Sequence, residues 1–394
     1  MKLRGIILAA LAGVATMSFA QREPAEFENE LISETASSRE ILVKFTGSDR
    51  QASEMVRGMG DRIIDRIENL QVYVIELGAR DDQAKAIATY SSLPGVEYAE
   101  VNGIYTHQNI PNDPFYNQQW ALPAVQAPQA WNMFVASSNV TIAIIDTGVN
   151  MSHVDLAGRF VAGYDFVNND SNATDDQGHG THCAGIAAGI RNNGTGIAGL
   201  GGGAMIMPIK VLGSTGSGST ANIAAGIDWA SANGADVLSL SLGGSGFSQT
   251  MQDAVNLAWS RGSVIVAAAG NSNTSTIFYP AGYVNAIAVG STTTNGVRSS
   301  FSNFGASWVD VAAPGSNIYS TLMNGGYGNM SGTSMACPLV AGLAGMVYSQ
   351  LGPFATNVQV RRLIEEYSDR NSWTARGQIN ARRTINATQG VNGN

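Results

Sequence analysis

Hydrophobic positions along the chain follow two regimes. Between about residues 39 and 104, apolar and polar residues alternate or recur at helical spacing. Residues 40–45 (EILVKF) and 72–77 (VYVIEL) read as strands, and segments near 52–59 and 81–91 read as helices. This stretch predicts a small α+β unit. Beyond residue 108 the apolar runs are unbroken. Residues 140–145 (VTIAII), 237–242 (VLSLSL) and 264–269 (VIVAAA) each end in a Gly-rich or polar turn, with helix-like segments at 222–232 and 252–259 between them. Strands without a polar face, alternating with helices, predict a mainly parallel sheet covered on both sides, an α/β three-layer fold. Functional residues in such sheets gather at the carboxyl ends of the strands.

Composition narrows this picture. The 394 residues are 44% hydrophobic, ample for a full core and too much for one small module. Only 13% are charged and 46 are glycine, so the chain is turn-rich and lightly charged. A net charge of -8, with no Lys/Arg run longer than two, excludes a basic stripe and hence a nucleic-acid partner. Glutamate is segregated: beyond residue 107 only Glu365 and Glu366 occur. The other acids there are aspartates, the residue of turns, caps and ion-binding loops. Residues 1–20 carry Lys2 and Arg4, an apolar stretch from Ile6 to Ala15, and Ser18-Phe19-Ala20. This is the pattern of a secretory signal peptide, too short to span a bilayer. No later stretch reaches 18 apolar residues, so the expectation is an exported protein without a membrane anchor.

Four strand or helix ends carry chemistry. Asp146 follows the run at 140–145, His179 opens Gly178-His179-Gly180-Thr181-His182-Cys183, Asn271 follows 264–269, and Ser334 precedes an apolar helix expected over 339–351 with Pro338 in its first turn. Singly, each has an ordinary explanation as a cap, turn or core residue. Jointly they supply carboxylate, imidazole, amide donor and hydroxyl, the full set for acyl transfer through a tetrahedral oxyanion. A metalloenzyme built on His179 and His182 would lack the glutamate of H-E-x-x-H, and no G-x-S-x-G of an α/β-hydrolase esterase occurs. A secreted pseudoprotease that only binds peptides is the non-enzymatic alternative.

With the order Asp, His, Ser, these motifs resemble the subtilisin-like serine proteases. The similarity runs from Pro111 to about Asn386 and includes Asn112-Asp113-Pro114, Gln126-Ala127-Pro128-Gln129-Ala130-Trp131 and Val311-Ala312-Ala313-Pro314-Gly315-Ser316. The resemblance implies a subtilisin-like peptidase domain over 108–394. Residues 21–107 would then be an inhibitory propeptide, its folded part a ferredoxin-like domain over about 39–104. A secreted, self-processing serine endopeptidase follows, a monomer whose partners are protein or peptide substrates and its own propeptide, cut between Tyr105 and Pro111. By the same resemblance Ser334 is the nucleophile, His179 the base and acid, Asp146 its orienting carboxylate, and Asn271 with the Ser334 N–H the oxyanion hole. Gly216-Ser217-Gly218 and Ser241-Leu242-Gly243 correspond to the two edges that pair an extended substrate, with Ala269 and Gly270 beside them. Phe278 falls near the floor of the primary specificity pocket.

Structural calcium is the implied cofactor. Asp113, Asp155, the Asn193 side chain and the carbonyls of Ile190, Thr195 and Ile197 match a tight oxygen-only site. A second site would use Asp165 and Asp170, but the family pattern has a third acid where this chain has Asn168, so it is expected to be weak or empty; Asp175 and Asp176 either compensate for that acid or, the preferred reading, are solvated turn acids. Cys183 and Cys337 are expected as two buried thiols, with a disulfide the alternative. Met335, beside the nucleophile, is expected to be sensitive to peroxide.

Overall fold

The computed structural model describes residues 39–78, 82–103 and 110–391. The expected signal peptide and most of the expected cleavage region lie outside them. The chain divides into two units, Met1–His107 and Gln108–Asn394.

In the first unit the order is β1 (Glu40–Phe45), α1 (Asp49–Gly58), β2 (Arg62–Ile67), β3 (Val72–Glu76), α2 (Gln83–Ser91) and β4 (Val96–Val101). The strands form one antiparallel sheet in the order β2-β3-β1-β4, the ferredoxin-like arrangement. Alternation in β1 buries Ile41, Val43 and Phe45 against Ala52 and Val56 of α1 and Ala86 and Tyr90 of α2. Strand β2 was not expected from the sequence. It is an edge strand with no buried residue and a register shift between Ile63 and Asp65, so it carries no clean period of two.

The second unit is built on eight strands: β5 (Thr141–Asp146), β6 (Tyr164–Asp165), β7 (Met205–Lys210), β8 (Val237–Leu240), β9 (Val264–Ala268), β10 (Ala286–Thr292), β11 (Val311–Pro314) and, after the antiparallel pair β12 (Ile318–Thr321) and β13 (Tyr327–Met330), β14 (Gly377–Gln378). Their order is β14-β11-β10-β9-β8-β5-β7-β6, parallel at every pairing. Helices α3 (Ala121–Ala124), α4 (Ala127–Met133), α5 (His179–Ala188), α6 (Thr220–Ala232), α7 (Gln249–Ser260), α8 (Thr333–Leu351), α9 (Asn357–Glu366) and α10 (Ala381–Val391) cover it.

The unbroken apolar strands are explained by two cores. Ile142 and Ile144 of β5, with Val264 and Val266 of β9, join the core beneath α5 and α8. Their neighbours Ala143, Ile145, Ile265 and Ala267 join the core beneath α6 and α7. Each strand thus buries both faces. Strand β5 lies between β7 and β8, where the chain reverses its direction of winding, and its carboxyl end opens into the resulting crevice.

Helix α8 begins at Thr333, earlier than expected, and Pro338 lies inside it. Proline offers no N–H to the carbonyl four residues back. That carbonyl, on Ser334, instead accepts from Ser241 Oγ at 2.8 Å and Cys183 Sγ at 3.4 Å. Among the described residues α8 alone is long and apolar enough to cross a membrane, and it is largely buried within the unit.

Candidate active site

Asp146 ends β5 with its carboxylate fully buried. Oδ1 accepts from the Thr147 N–H, and Oδ1 and Oδ2 face His179 Nδ1 at 2.8 and 3.0 Å. His179 is the first residue of α5. The next residue must be small: a Cβ on Gly180 would strike the Gly148 carbonyl in the turn after β5. This close approach carries the ring to the carboxylate. Burial is the largest single influence on His179 and disfavours the imidazolium, but the Asp146 charge and hydrogen bond, together with the Cys183 contact, more than offset it and raise the pKa well above 6.5. Burial also raises the Cys183 pKa, against the pull of the neighbouring His179. With Nδ1–H committed to Asp146, Nε2 is the nitrogen left to take a proton.

Ser334 is the second residue of α8, where the helix dipole favours negative charge. Cys183, one turn along α5 from His179, lies 4.0 Å from its Nδ1 and donates to the Ser334 carbonyl, bridging the two helix starts. The Ser334 hydroxyl donates to the Ser241 carbonyl at 3.2 Å rather than to the ring. Rotation about the Cα–Cβ bond is needed to redirect it, and catalytic hydrogen bonds are often made only once substrate is bound. Asn271, three residues beyond β9, accepts at Oδ1 from the Thr333 N–H and hydroxyl at 2.8 and 3.0 Å. Its amide is thereby oriented, leaving Nδ2 as a donor in the pocket it shares with Ser334.

A cleft of about 560 Å³ runs from His179 between Leu212 and Gly216-Ser217-Gly218 on one side and Ser241-Leu242-Gly243 on the other. A second pocket, about 310 Å³, opens beside Ser334 and is lined by Gly243, Ala268, Gly270, Asn271 and Phe278. The Phe278 ring packs against both glycine walls: its atoms would meet a Cβ on Gly243 and lie 3.0 Å from one on Gly270. Ala269 departs from expectation. It is buried, its carbonyl is taken by Asn303 Nδ2, and its neighbours Ala268 and Gly270 line the pocket instead.

The expected calcium residues converge on the loop at 190–197. Asp113 accepts from the Asn192 and Asn193 N–H groups, and Asp155 from Asn193 Nδ2 and the Ile197 N–H. The Asp155 carbonyl accepts from the Ile190 N–H, and Asn193 Oδ1 from the Thr195 N–H. Both carboxylates are buried, Asp113 4% and Asp155 0% exposed. Burial pushes the Asp113 carboxyl up, and the Asp155 charge adds to this against the bonds from the amides. Two buried carboxylates set on one loop beside the Asn193 side chain suit a hard cation. At the second position Asn168 takes a different part: its N–H and Nδ2, with the Val167 N–H, all donate to the Asp165 carboxylate, while Asp170 accepts from the Asn172 N–H.

Two features escaped the sequence. Asp175 is no solvated turn acid: it is 8% exposed and accepts from the Thr147 hydroxyl, the Gln177, Gly178 and Thr181 N–H groups and the Thr181 hydroxyl. Asp176 pairs with buried Lys210 at 2.6 Å. The available signal was that Lys210 is the one lysine beyond residue 107, at the end of an apolar strand. As expected, both cysteines are buried free thiols.

A doubly covered parallel sheet with a buried carboxylate, an imidazole and a helix-start hydroxyl at one crevice defines a hydrolase of the serine type. The subtilase family matches residues 137–391, and the fervidolysin N-terminal prodomain matches residues 33–102. Thermitase of Thermoactinomyces vulgaris is 51% identical over 280 residues, 70% of this chain and 99% of thermitase. The thermophilic serine proteinase of Bacillus sp. (strain AK1) is 43% identical over 326 residues, 82% of this chain and 79% of that protein. A solved protease of Pseudoalteromonas arctica superposes with a TM-score of 0.67 at 34% identity, covering 71% of this chain and all of that one. The chain belongs to the subtilase family of serine endopeptidases and carries a prodomain.

Proposed function

We propose that the chain is a secreted precursor whose residues 108–394 hydrolyse extended protein substrates through an acyl-enzyme. In this reading Ser334 attacks the scissile carbonyl, His179 takes its proton and returns it to the leaving amine, and Asp146 stabilises the imidazolium. Asn271 Nδ2 and the Ser334 N–H hold the oxyanion. The observation that carries the reading is the Asp146–His179 pair set beside a helix-start serine and a free amide donor. The substrate backbone enters the cleft between 216–218 and 241–243 as an added strand. Residues 21–107 act as the intramolecular inhibitor and are removed by the enzyme itself after residues 1–20 direct export. N-terminal sequencing of the secreted protein tests this: wild type should begin between Tyr105 and Pro111, and Ser334→Ala should keep its propeptide. Normal processing of Ser334→Ala would contradict self-cleavage.

The Phe278 ring favours substrates with a small residue before the scissile bond. Phe278→Ala should raise kcat/KM for phenylalanine relative to alanine at that position by roughly 10- to 100-fold, the range of hydrophobic pocket discrimination. A series of tetrapeptide anilides reads this directly, and an unchanged ratio would remove Phe278 from the specificity pocket.

Asp113, Asp155, Asn193 and the carbonyls of Ile190, Thr195 and Ile197 would hold one calcium ion, which supplies positive charge to two buried carboxylates and so stabilises the fold. At calcium about 100-fold above its Kd this linkage is worth about 2.7 kcal/mol, or roughly 5–10 °C in midpoint for a domain of this size. Chelation should lower the thermal midpoint of wild type by that order and leave Asp113→Asn, already destabilised, unmoved. An equal response in both would refute the site.

A further inference from the structure

Lys210 ends β7 beside Asp146 in the parallel register and is 1% exposed. A lysine this buried survives only if its charge and its donors are matched. All three donors are used: Nζ reaches the Thr147 carbonyl at 2.8 Å, the Leu212 carbonyl at 2.8 Å and Asp176 Oδ1 at 2.6 Å.

These acceptors belong to three separate segments: Thr147 and Leu212 line the cleft, and Asp176 immediately precedes Gln177, which also lines it. Thr147 directly follows Asp146, and its hydroxyl both accepts from the Gly180 N–H of α5 and donates to Asp175. Asp176 belongs to the turn that runs into His179; Asp175 gathers the N–H groups of Gln177 and Gly178 there, and Gln177 Oε1 accepts from the His179 N–H. Leu212 opens the edge at 212–218, whose turn is closed by Gly213 N–H to the Ser217 carbonyl at 3.0 Å. One ammonium group thus joins the segment carrying the carboxylate, the segment carrying the base and the edge that receives substrate.

We propose that Lys210 is a positioning residue that fixes the substrate-pairing edge at 212–218 in register with the Asp146–His179 pair. This rests on the proposed protease reading of the same site. Lys210 touches no reacting atom. Its effect grows with the length of substrate laid along the edge, because only an extended substrate needs the edge and the catalytic pair at a fixed separation. Misplacement by about 1 Å at a distance from the chemistry costs up to about a hundredfold in rate. A single-residue ester, which meets Ser334 without the edge, escapes that cost.

The test compares enzyme matured from the full chain, by wild-type protease in trans where needed, on a tetrapeptide anilide and on a single-residue ester. Lys210→Met should lower kcat/KM for the tetrapeptide by about 10- to 100-fold and for the ester by less than about threefold. Lys210→Arg, which keeps the charge, should recover part of the long-substrate rate. Asp176→Asn alters a half-exposed side chain and keeps the fold, so it decides the matter if Lys210→Met does not fold. It should show the same selectivity at about threefold or more. A ratio of long to short substrate rates equal to that of wild type in Asp176→Asn, or in a folded Lys210→Met, overturns the proposal. Absence of wild-type activity on both substrates would instead overturn the protease reading, so the two failures are distinguishable.

Discussion

Asp146→Asn should keep the fold and lose on the order of 10⁴-fold in kcat, as carboxylate removal does in an Asp-His-Ser triad. The asparagine preserves shape and burial but can present its amide to Nδ1, holding the imidazole in the wrong tautomer and leaving the imidazolium without its counter-charge. The residual activity should also move on the pH axis. The base works only when neutral, so kcat/KM falls as pH falls through the His179 pKa of the free enzyme. In wild type that limb should lie above pH 6.5, because the Asp146 charge and hydrogen bond, with the Cys183 contact, together offset burial. In Asp146→Asn the carboxylate's charge is lost while burial stays, so the limb should shift to lower pH. Full pH profiles of both enzymes on one peptide substrate measure loss and shift together. A large loss with an unmoved acid limb would mean that Asp146 does not set the charge state of His179.

Asn271→Ala is expected to cost about 10²- to 10³-fold in kcat, equivalent to about 2.7–4 kcal/mol of transition-state stabilisation, with little change in KM. The split follows from timing: Nδ2 meets the oxygen fully only when it becomes an oxyanion. A structural contribution is separable, because Asn271 also accepts from the Thr333 N–H and hydroxyl at the start of α8. Asn271→Asp keeps that acceptor and removes the donor. It should be as inactive as Asn271→Ala while closer to wild type in thermal midpoint. Near-normal turnover in either variant would remove Asn271 from the oxyanion role.

The residues expected to do chemistry were legible because Asp146 and Asn271 follow apolar runs, while His179 and Ser334 precede apolar helices, each in a short motif of its own. The doubly covered sheet was legible because strands buried on two faces have no polar period. What the sequence hid depends on contacts between distant segments. Asp175 and Asp176 look alike as neighbouring turn acids, yet one is buried among five donors and the other faces a lysine 34 positions on. The start of α8 was hidden because proline suggests a helix entrance, whereas here Ser241 and Cys183 supply the Ser334 carbonyl with the partners Pro338 withholds. Ala269 and Gly270 stand side by side in sequence, but only the second reaches the pocket.

In the proposed mechanism Ser334 becomes a nucleophile through His179. The most direct measurement is treatment of the mature enzyme with a fluorophosphonate, followed by mass mapping of the adduct. One adduct is expected, on Ser334, forming with loss of activity and much more slowly in His179→Ala. Stoichiometric labelling elsewhere, or full activity retained with Ser334 modified, would contradict it.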